Sequence, residues 1–205
     1  MSDFDSRAAK WDTEPRRVIL ARAVADAIIS QVKPDACRTL DFGSGTGLVT
    51  LALAPFSREI VAADTSSGML EQLKLKLAEA NIENVHPFLI QEDSNAVLPS
   101  GFDLIVSSMT MHHIADVTSQ LQLFRKIIKT GGFLCIADLE TEDGSFHDHP
   151  GGFPHNGFSA SEMESYFSSA GFTNLKTSRV AVVRKERNGK ICEYPVNLTT
   201  GSARD

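Results

Sequence analysis

Apolar residues recur every three or four positions in three stretches of this chain. Such spacing places apolar side chains on one face of a helix and leaves the opposite face to polar residues. We therefore predict three amphipathic helices. They are marked by Val18, Ala21, Val24, Ile28 and Val32 within residues 16–32, by Met69, Leu70, Leu73 and Leu77, and by Leu121, Phe124, Ile127 and Ile128.

Short apolar runs lie between these stretches and predict strands. They cover residues 38–42, 60–64, 85–90 and 102–107, and a fifth follows Gly131-Gly132. Strands that alternate with helices favour a parallel sheet with helices on both faces. Near the end, Ser159 and Glu162 match a helix-capping pattern, and Asn188-Gly189 separates two further strands, 178–185 and 190–198, as in a hairpin. The pattern predicts an α/β fold with seven strands.

A glycine-rich loop follows the first of these strands. Gly43, Gly45 and Gly47 lack a Cβ, so the backbone there can adopt positive φ and approach a ligand closely at the start of a helix. The dinucleotide-binding fingerprint has the spacing G-x-G-x-x-G. Counted from Gly43, its third glycine would fall at position 48, where this chain has Leu48. Asp41, just before the loop, would repel a pyrophosphate but suits a cationic ligand that carries hydroxyls. The loop therefore favours S-adenosylmethionine over NAD.

Residues 41–47 resemble motif I of the class I S-adenosylmethionine-dependent methyltransferases. The resemblance extends along the chain: Asp64 ends the second strand, where that family binds the ribose, and Asp93, in preference to Glu92, follows the third strand, where an acid faces the adenine. Residues 128–134 resemble the family's lysine-proline-glycine-glycine turn, with Thr130 in place of proline. Together these matches imply a Rossmann-like, seven-stranded, mostly parallel sheet with an antiparallel last strand.

The same resemblance implies S-adenosylmethionine as cofactor and S-adenosylhomocysteine as product. The cofactor-binding residues that it implies are Asp41, Gly43, Ser44, Gly45, Gly47, Asp64, Thr65, Met69, Asp93 and Ser94. Residues 4–12 resemble the opening of small-molecule methyltransferases of the quinone-biosynthesis type, which folds over the cofactor. Trp11 within it either covers the ligand or packs the first helix onto the domain.

Three histidines are candidates for the acceptor side of the site. His112 and His113 follow the fourth strand, in a segment that borders the methyl-transfer site in the resembling family, although one of them could instead cap the next helix. His155 lies in the loop after the fifth strand and could act as a general base, because a neutral imidazole is available near pH 7. We take His112, His113 and His155 as the catalytic candidates.

The loop that contains His155 also carries His147, His149 and several carboxylates. A zinc site normally has tighter ligand spacing within ordered elements. We therefore predict no metal, and the alternative is a mobile lid in which the phenylalanines pack while the histidines are solvated.

Composition limits the classes of partner. The chain has 205 residues and a net charge of −6, without a lysine- or arginine-rich run, which argues against a nucleic acid. It shows neither a membrane-spanning stretch nor a signal pattern, so we expect no membrane partner and a cytoplasmic location. We predict one domain, comprising a helical cap (1–33), a cofactor-binding core (37–138), a substrate-side loop (139–158), and a helix with the terminal hairpin (159–205).

The leading functional hypothesis is in-line transfer of the sulfonium methyl group to a small-molecule acceptor. The sequence leaves open whether the acceptor atom is oxygen, nitrogen, sulfur or carbon, and it leaves the oligomeric state open. Two alternatives remain: a non-catalytic S-adenosylmethionine-binding module that regulates a partner, and an NAD(P)-dependent oxidoreductase. Leu48 and the terminal hairpin disfavour the oxidoreductase.

Overall fold

The computed structural model describes residues 3–91, 97–147 and 153–204. Its helices are α1 (Asp3–Arg7), α2 (Pro15–Val32), α3 (Leu48–Leu53), α4 (Ser67–Ala80), α5 (Val117–Ile127) and α6 (Ala160–Ser169), and its strands are β1 (Cys37–Phe42), β2 (Ser57–Asp64), β3 (Val85–Leu89), β4 (Phe102–Ser108), β5 (Ile128–Leu139), β6 (Phe172–Arg187) and β7 (Lys190–Ala203). Short 3₁₀ turns cover Ala8–Thr13, Ala54–Phe56 and Met111–His113.

The seven strands form one sheet in the order β3-β2-β1-β4-β5-β7-β6. Strands β1 to β5 run parallel, and β7 runs antiparallel to both of its neighbours. The predicted Rossmann-like sheet with an antiparallel last strand is confirmed. The strand order reverses direction between β1 and β4, and in open sheets of this kind ligands bind at that switch point, beyond the carboxyl ends of the strands.

Helices cover both faces of the sheet, as the periodicity predicts. One apolar cluster joins α2, α3 and α4 to the sheet through residues such as Val24, Leu53 and Leu73. The cluster on the opposite face is built on Phe124 of α5 and Phe167 of α6. Within the part of the chain that the structure describes, no helix is long and apolar enough to cross a membrane.

Two boundaries differ from the sequence prediction. Strand β5 begins at Ile128, which the helical spacing had assigned to the preceding helix, and it continues through Gly131, whose φ is +82°. A Cβ at Gly132 would lie 2.7 Å from the side chain of Ile128 and 3.0 Å from the carbonyl oxygen of Asp103 in β4, so this glycine permits close packing, whereas a Cβ at Gly131 would meet nothing within 4 Å. The terminal strands are also longer than predicted, although their turn at Asn188 and Gly189 is as expected.

Candidate cofactor and acceptor site

The glycine loop connects β1 to α3 at the switch point. All three of its glycines have positive φ, at +75°, +55° and +81° in chain order. A Cβ at Gly43 would overlap Thr110, and one at Gly47 would overlap Leu73, so these two glycines allow the loop to pack against its neighbours. A Cβ at Gly45 would meet nothing within 4 Å. The middle of the loop therefore faces open space that a ligand can enter.

Asp41 supports this loop from inside the protein. Its side chain is 1% exposed, and its Oδ2 accepts a 2.5 Å hydrogen bond from the Thr50 hydroxyl in α3. Burial raises the pKa of Asp41 to about 7, and the nearby negative charge of Asp64 adds to the rise. The structure thus places Asp41 behind the loop, in contact with α3.

Asp64 holds the loop from the end of the neighbouring strand. Its two oxygens accept hydrogen bonds from the backbone N–H groups of Gly45, at 2.7 Å, and Ser66, at 2.8 Å. A carboxylate has about four lone-pair positions, so these backbone hydrogen bonds leave room for a ligand hydroxyl. Burial raises the pKa of Asp64, whereas these backbone hydrogen bonds oppose the rise.

Other residues predicted to bind the cofactor lie around this carboxylate. Ser44 is buried, and its hydroxyl has no hydrogen-bond partner among the described residues, which fits a polar ligand group arriving there. Thr65 is exposed, whereas Met69 is 2% exposed and belongs to the buried start of α4. Asp93 and Ser94 lie outside the described residues, so their roles stay predictions.

The N-terminal segment, residues 4–13, is fastened to the same region. Asp12 accepts a 2.6 Å hydrogen bond from Thr46 of the glycine loop and pairs with Lys76 of α4 at 2.7 Å. Asp5 accepts hydrogen bonds from the Ser66 hydroxyl, at 2.6 Å, and from the Gly68 N–H, at 3.0 Å. The segment therefore lies against the loop and the start of α4.

Trp11 within this segment contacts the first long helix. The guanidinium of Arg17 lies 3.8 Å from the centre of its indole ring, and Phe4 packs on it at 5.8 Å. Phe4 also meets His113 edge-on at 5.5 Å. Trp11 thus packs α2 against the segment, while Phe4 reaches the acceptor side of the site.

On the acceptor side, His112 is paired with a buried carboxylate. Nδ1 of His112 lies 2.6 Å from an oxygen of Asp138, near the end of β5, and the two side chains are 1% and 3% exposed. Burial acts to raise the pKa of Asp138, but His112 and the backbone N–H groups that hydrogen-bond to the carboxylate hold it below its usual value. Asp138 therefore stays ionised and keeps the Nδ1 proton of His112 directed at itself.

His113 and His147 gather around His112, and we call these three residues the imidazole cluster. The centres of the His112 and His113 rings are 4.0 Å apart, and His147 lies 5.1 Å and 5.5 Å from them, respectively. Phe153 stacks on His147 at 3.6 Å. Burial, assisted by the neighbouring imidazoles, lowers the pKa of His113 to about 3, so this ring is neutral at pH 7.

His155, the third catalytic candidate, is not in the imidazole cluster. Its Nε2 lies 3.1 Å from the carbonyl oxygen of Ile114, and because a carbonyl only accepts, this nitrogen carries the proton. His149 lies outside the described residues. The sequence placed Asp138 and His147 after or within the fifth-strand region without a specific role, and the structure brings both of them to His112. The sequence did contain a signal for Asp138, because this acid lies near the carboxyl end of a predicted strand, as Asp41 and Asp64 do.

Comparison with known proteins identifies the family. A model described as a methyltransferase domain matches residues 7–177. The chain belongs to the methyltransferase domain family. The family match agrees with the motif resemblance, which implied S-adenosylmethionine as cofactor and S-adenosylhomocysteine as product.

Individual relatives are distant. An uncharacterised methyltransferase of Schizosaccharomyces pombe is 30% identical over 152 residues, which cover 67% of this chain and 54% of that protein. A ubiquinone biosynthesis O-methyltransferase of Xanthomonas campestris is 24% identical over 139 residues, covering 66% of this chain and 58% of that protein. This methyltransferase-family chain thus spans little more than half of the curated relatives it matches.

A solved structure of an S-adenosylmethionine-dependent methyltransferase from Aquifex aeolicus has the same fold. Its TM-score to this methyltransferase is 0.66 at 20% identity, and the match covers 95% of this chain and 97% of that one. The agreement over nearly both full lengths confirms the sheet architecture.

Proposed function

We propose that this protein transfers the methyl group of S-adenosylmethionine to a small-molecule acceptor by in-line displacement. The observation that carries the proposal is the adjacency of two polar regions at the carboxyl ends of the strands. Thr110 packs on Gly43 of the loop, and the 3₁₀ turn that holds His112 and His113 follows directly. A cofactor on the loop would therefore have the imidazole cluster beside it.

The chain's own residues have separate tasks on the cofactor side. The backbone of the glycine loop and the carboxylate of Asp64 would hold the ribose, and Asp41, behind the loop, would ionise fully when a cationic ligand binds. The bound cofactor supplies an electrophilic methyl group. Because that group is already activated, the protein contributes mainly alignment and the exclusion of water.

On the acceptor side, Asp138 orients His112 by accepting a hydrogen bond from its Nδ1. In the neutral tautomer with the proton on Nδ1, Nε2 would present a lone pair, and His113 lies beside it. Such a lone pair can take a proton from an acceptor or coordinate a cation. Phe4, on the N-terminal segment, packs against this side, which supports an enclosed site and a small acceptor. The ubiquinone biosynthesis relative, by its name, also acts in small-molecule metabolism.

The first experiment measures thermal stability with S-adenosylmethionine, S-adenosylhomocysteine, NAD and NADP in parallel. A ligand that binds only the folded state raises the melting temperature by mass action. We expect shifts with the two adenosyl sulfur compounds, lost in Asp64→Ala and kept in Asp26→Ala, a change of an exposed helical carboxylate. A shift with a nicotinamide nucleotide alone would overturn the proposal.

Methyl transfer itself is tested by incubating the protein with methyl-labelled cofactor and pools of small hydroxyl, thiol, amine and carbon acids. Label in a small-molecule product supports an enzyme of this class. Firm cofactor binding with no product from any pool would favour the regulatory module instead.

A further inference from the structure

We infer that the imidazole cluster is a binding site for one divalent transition-metal ion of the zinc type. His112, His113 and His147 each offer a ring nitrogen, and the three nitrogens lie within 4.8 Å of one another. They come from two places in the chain, the 3₁₀ turn after β4 and the loop after β5. The sequence predicted no metal in that loop, whereas the structure adds His112 and His113 to His147.

The strongest evidence is the state of His112. Its side chain is 1% exposed, and its Nε2 has no hydrogen-bond partner in the described part of the chain. A buried polar atom left unpaired costs about 1–3 kcal/mol, so such atoms usually have a partner that the protein alone does not supply. Nε2 is the ring nitrogen of His112 that Asp138 leaves available, and a metal ion in the imidazole cluster would satisfy it.

Asp138 adds a second and independent indication. Histidines that bind metals typically donate their other ring N–H to a carboxylate, which fixes the tautomer and makes the ligating nitrogen more basic. Nδ1 of His112 lies 2.6 Å from the buried Asp138 carboxylate. The pair therefore has the arrangement of a ligand and its supporting carboxylate.

The distances are compatible with a zinc-type ion. Zinc–nitrogen bonds are about 2.0–2.1 Å, which places tetrahedral nitrogen ligands roughly 3.4 Å apart. The three nitrogens now lie up to 4.8 Å apart, so metal binding would have to bring them closer together. Rotation of the His147 side chain, which lies on an irregular loop, can provide that change. Three imidazoles leave a fourth position open, as in catalytic rather than structural zinc sites.

The consequence for the reaction rests on the proposed function. An acceptor hydroxyl or thiol in the open position would lose its proton to solvent, because a bound cation lowers the pKa of its ligands. The resulting oxygen or sulfur anion would form a bond to the methyl carbon while the carbon–sulfur bond of the sulfonium breaks and its electron pair stays on sulfur. The site thus points to a hydroxyl or thiol as the acceptor group.

The test uses tag-free, chelator-treated protein titrated with Co²⁺ and then with Zn²⁺, in the absence of S-adenosylmethionine. We expect saturation near one equivalent, visible cobalt absorption bands of a nitrogen-ligated tetrahedral or five-coordinate ion, and displacement of cobalt by zinc. His147→Ala and His113→Ala should each weaken binding by at least tenfold. His86→Ala, at an exposed position on β3, should leave binding unchanged.

The result that overturns the inference is a chain that folds normally by circular dichroism yet binds neither ion stoichiometrically. Binding that survives in both cluster variants would overturn it as well. Asp64→Ala separates this inference from the proposed function, because it should weaken cofactor binding strongly and leave the cobalt spectrum intact. A protein that binds cobalt but no S-adenosylmethionine would contradict the proposed function alone.

Discussion

The two sides of the site are built in different ways. On the cofactor side, Asp64 accepts hydrogen bonds from the backbone of a loop whose glycines lie within five residues of one another. On the acceptor side, His112, His147 and Asp138 come from separate segments and meet through their side chains. A motif of consecutive residues can specify the first kind of construction, whereas the second depends on how distant parts of the chain pack.

The electrostatics of the two sides are also opposite. Burial raises the pKa of Asp41 to about 7, and it lowers the pKa of His113 to about 3. Both shifts favour the neutral form, because burial disfavours charge of either sign. The cofactor side therefore keeps acids that a cationic ligand can ionise, and the acceptor side keeps bases with available lone pairs.

Asp138→Asn should have the largest effect, and it should be confined to the acceptor side. Both oxygens of Asp138 accept from N–H groups, so the amide of the variant must aim its NH₂ at one of those donors. His112 then loses its fixed tautomer, and we expect kcat to fall by about 100-fold or more with the KM for S-adenosylmethionine unchanged. Steady-state kinetics with an identified acceptor checks this. A parallel loss of cofactor affinity would show that the two sides are not separable.

Asp64→Ala should act on the other side, by weakening cofactor binding about 100-fold. The variant removes a carboxylate whose hydrogen bonds to ligand hydroxyls are worth about 1.5–3 kcal/mol each, and it also releases the Gly45 amide. Isothermal titration with S-adenosylhomocysteine measures the change. Asp26→Ala is the matched control, and equal affinities of the two variants would remove Asp64 from the cofactor site.

Asp41→Asn should change how stability depends on pH. Because the folded-state pKa of Asp41 is raised, the folded protein binds the proton more tightly than the unfolded chain does. The stabilisation is complete below pH 3.8 and is lost as the pH rises to about 7. The uncharged variant lacks this loss, so its free energy of unfolding should exceed that of the wild type by on the order of 4 kcal/mol at pH 8.

Urea unfolding of both proteins from pH 4 to pH 8 gives that difference directly. It should grow with pH and level off above about 7. The Thr50 hydroxyl can still donate to the amide oxygen of the variant, so the hydrogen bond is retained and the charge is what changes. A difference independent of pH would mean that Asp41 is ionised throughout the range.

The comparison of the two sides also explains which parts of the structure the sequence could predict. The glycine loop and the Asn188-Gly189 turn were found because positive φ restricts the residue type at single positions. The start of β5 was missed because Ile128 continues the helical spacing of the residues before it. His147 could not be placed beside His112, because no periodic pattern in its loop specifies that contact.

The N-terminal segment contacts both sides of the site, through Thr46 and His113. Asp12→Ala tests whether this segment retains the cofactor, and it has the smallest expected effect. The side chain of Asp12 is 34% exposed and its ion pair with Lys76 is only partly shielded, so each lost contact is worth about 1 kcal/mol or less. If the segment covers the cofactor, affinity for S-adenosylhomocysteine should fall several-fold, mainly through faster dissociation. Stopped-flow displacement measures that rate, again with Asp26→Ala as the control. Faster amide exchange in residues 4–13 without any change in the dissociation rate would show that the segment packs on α4 and does not retain the ligand.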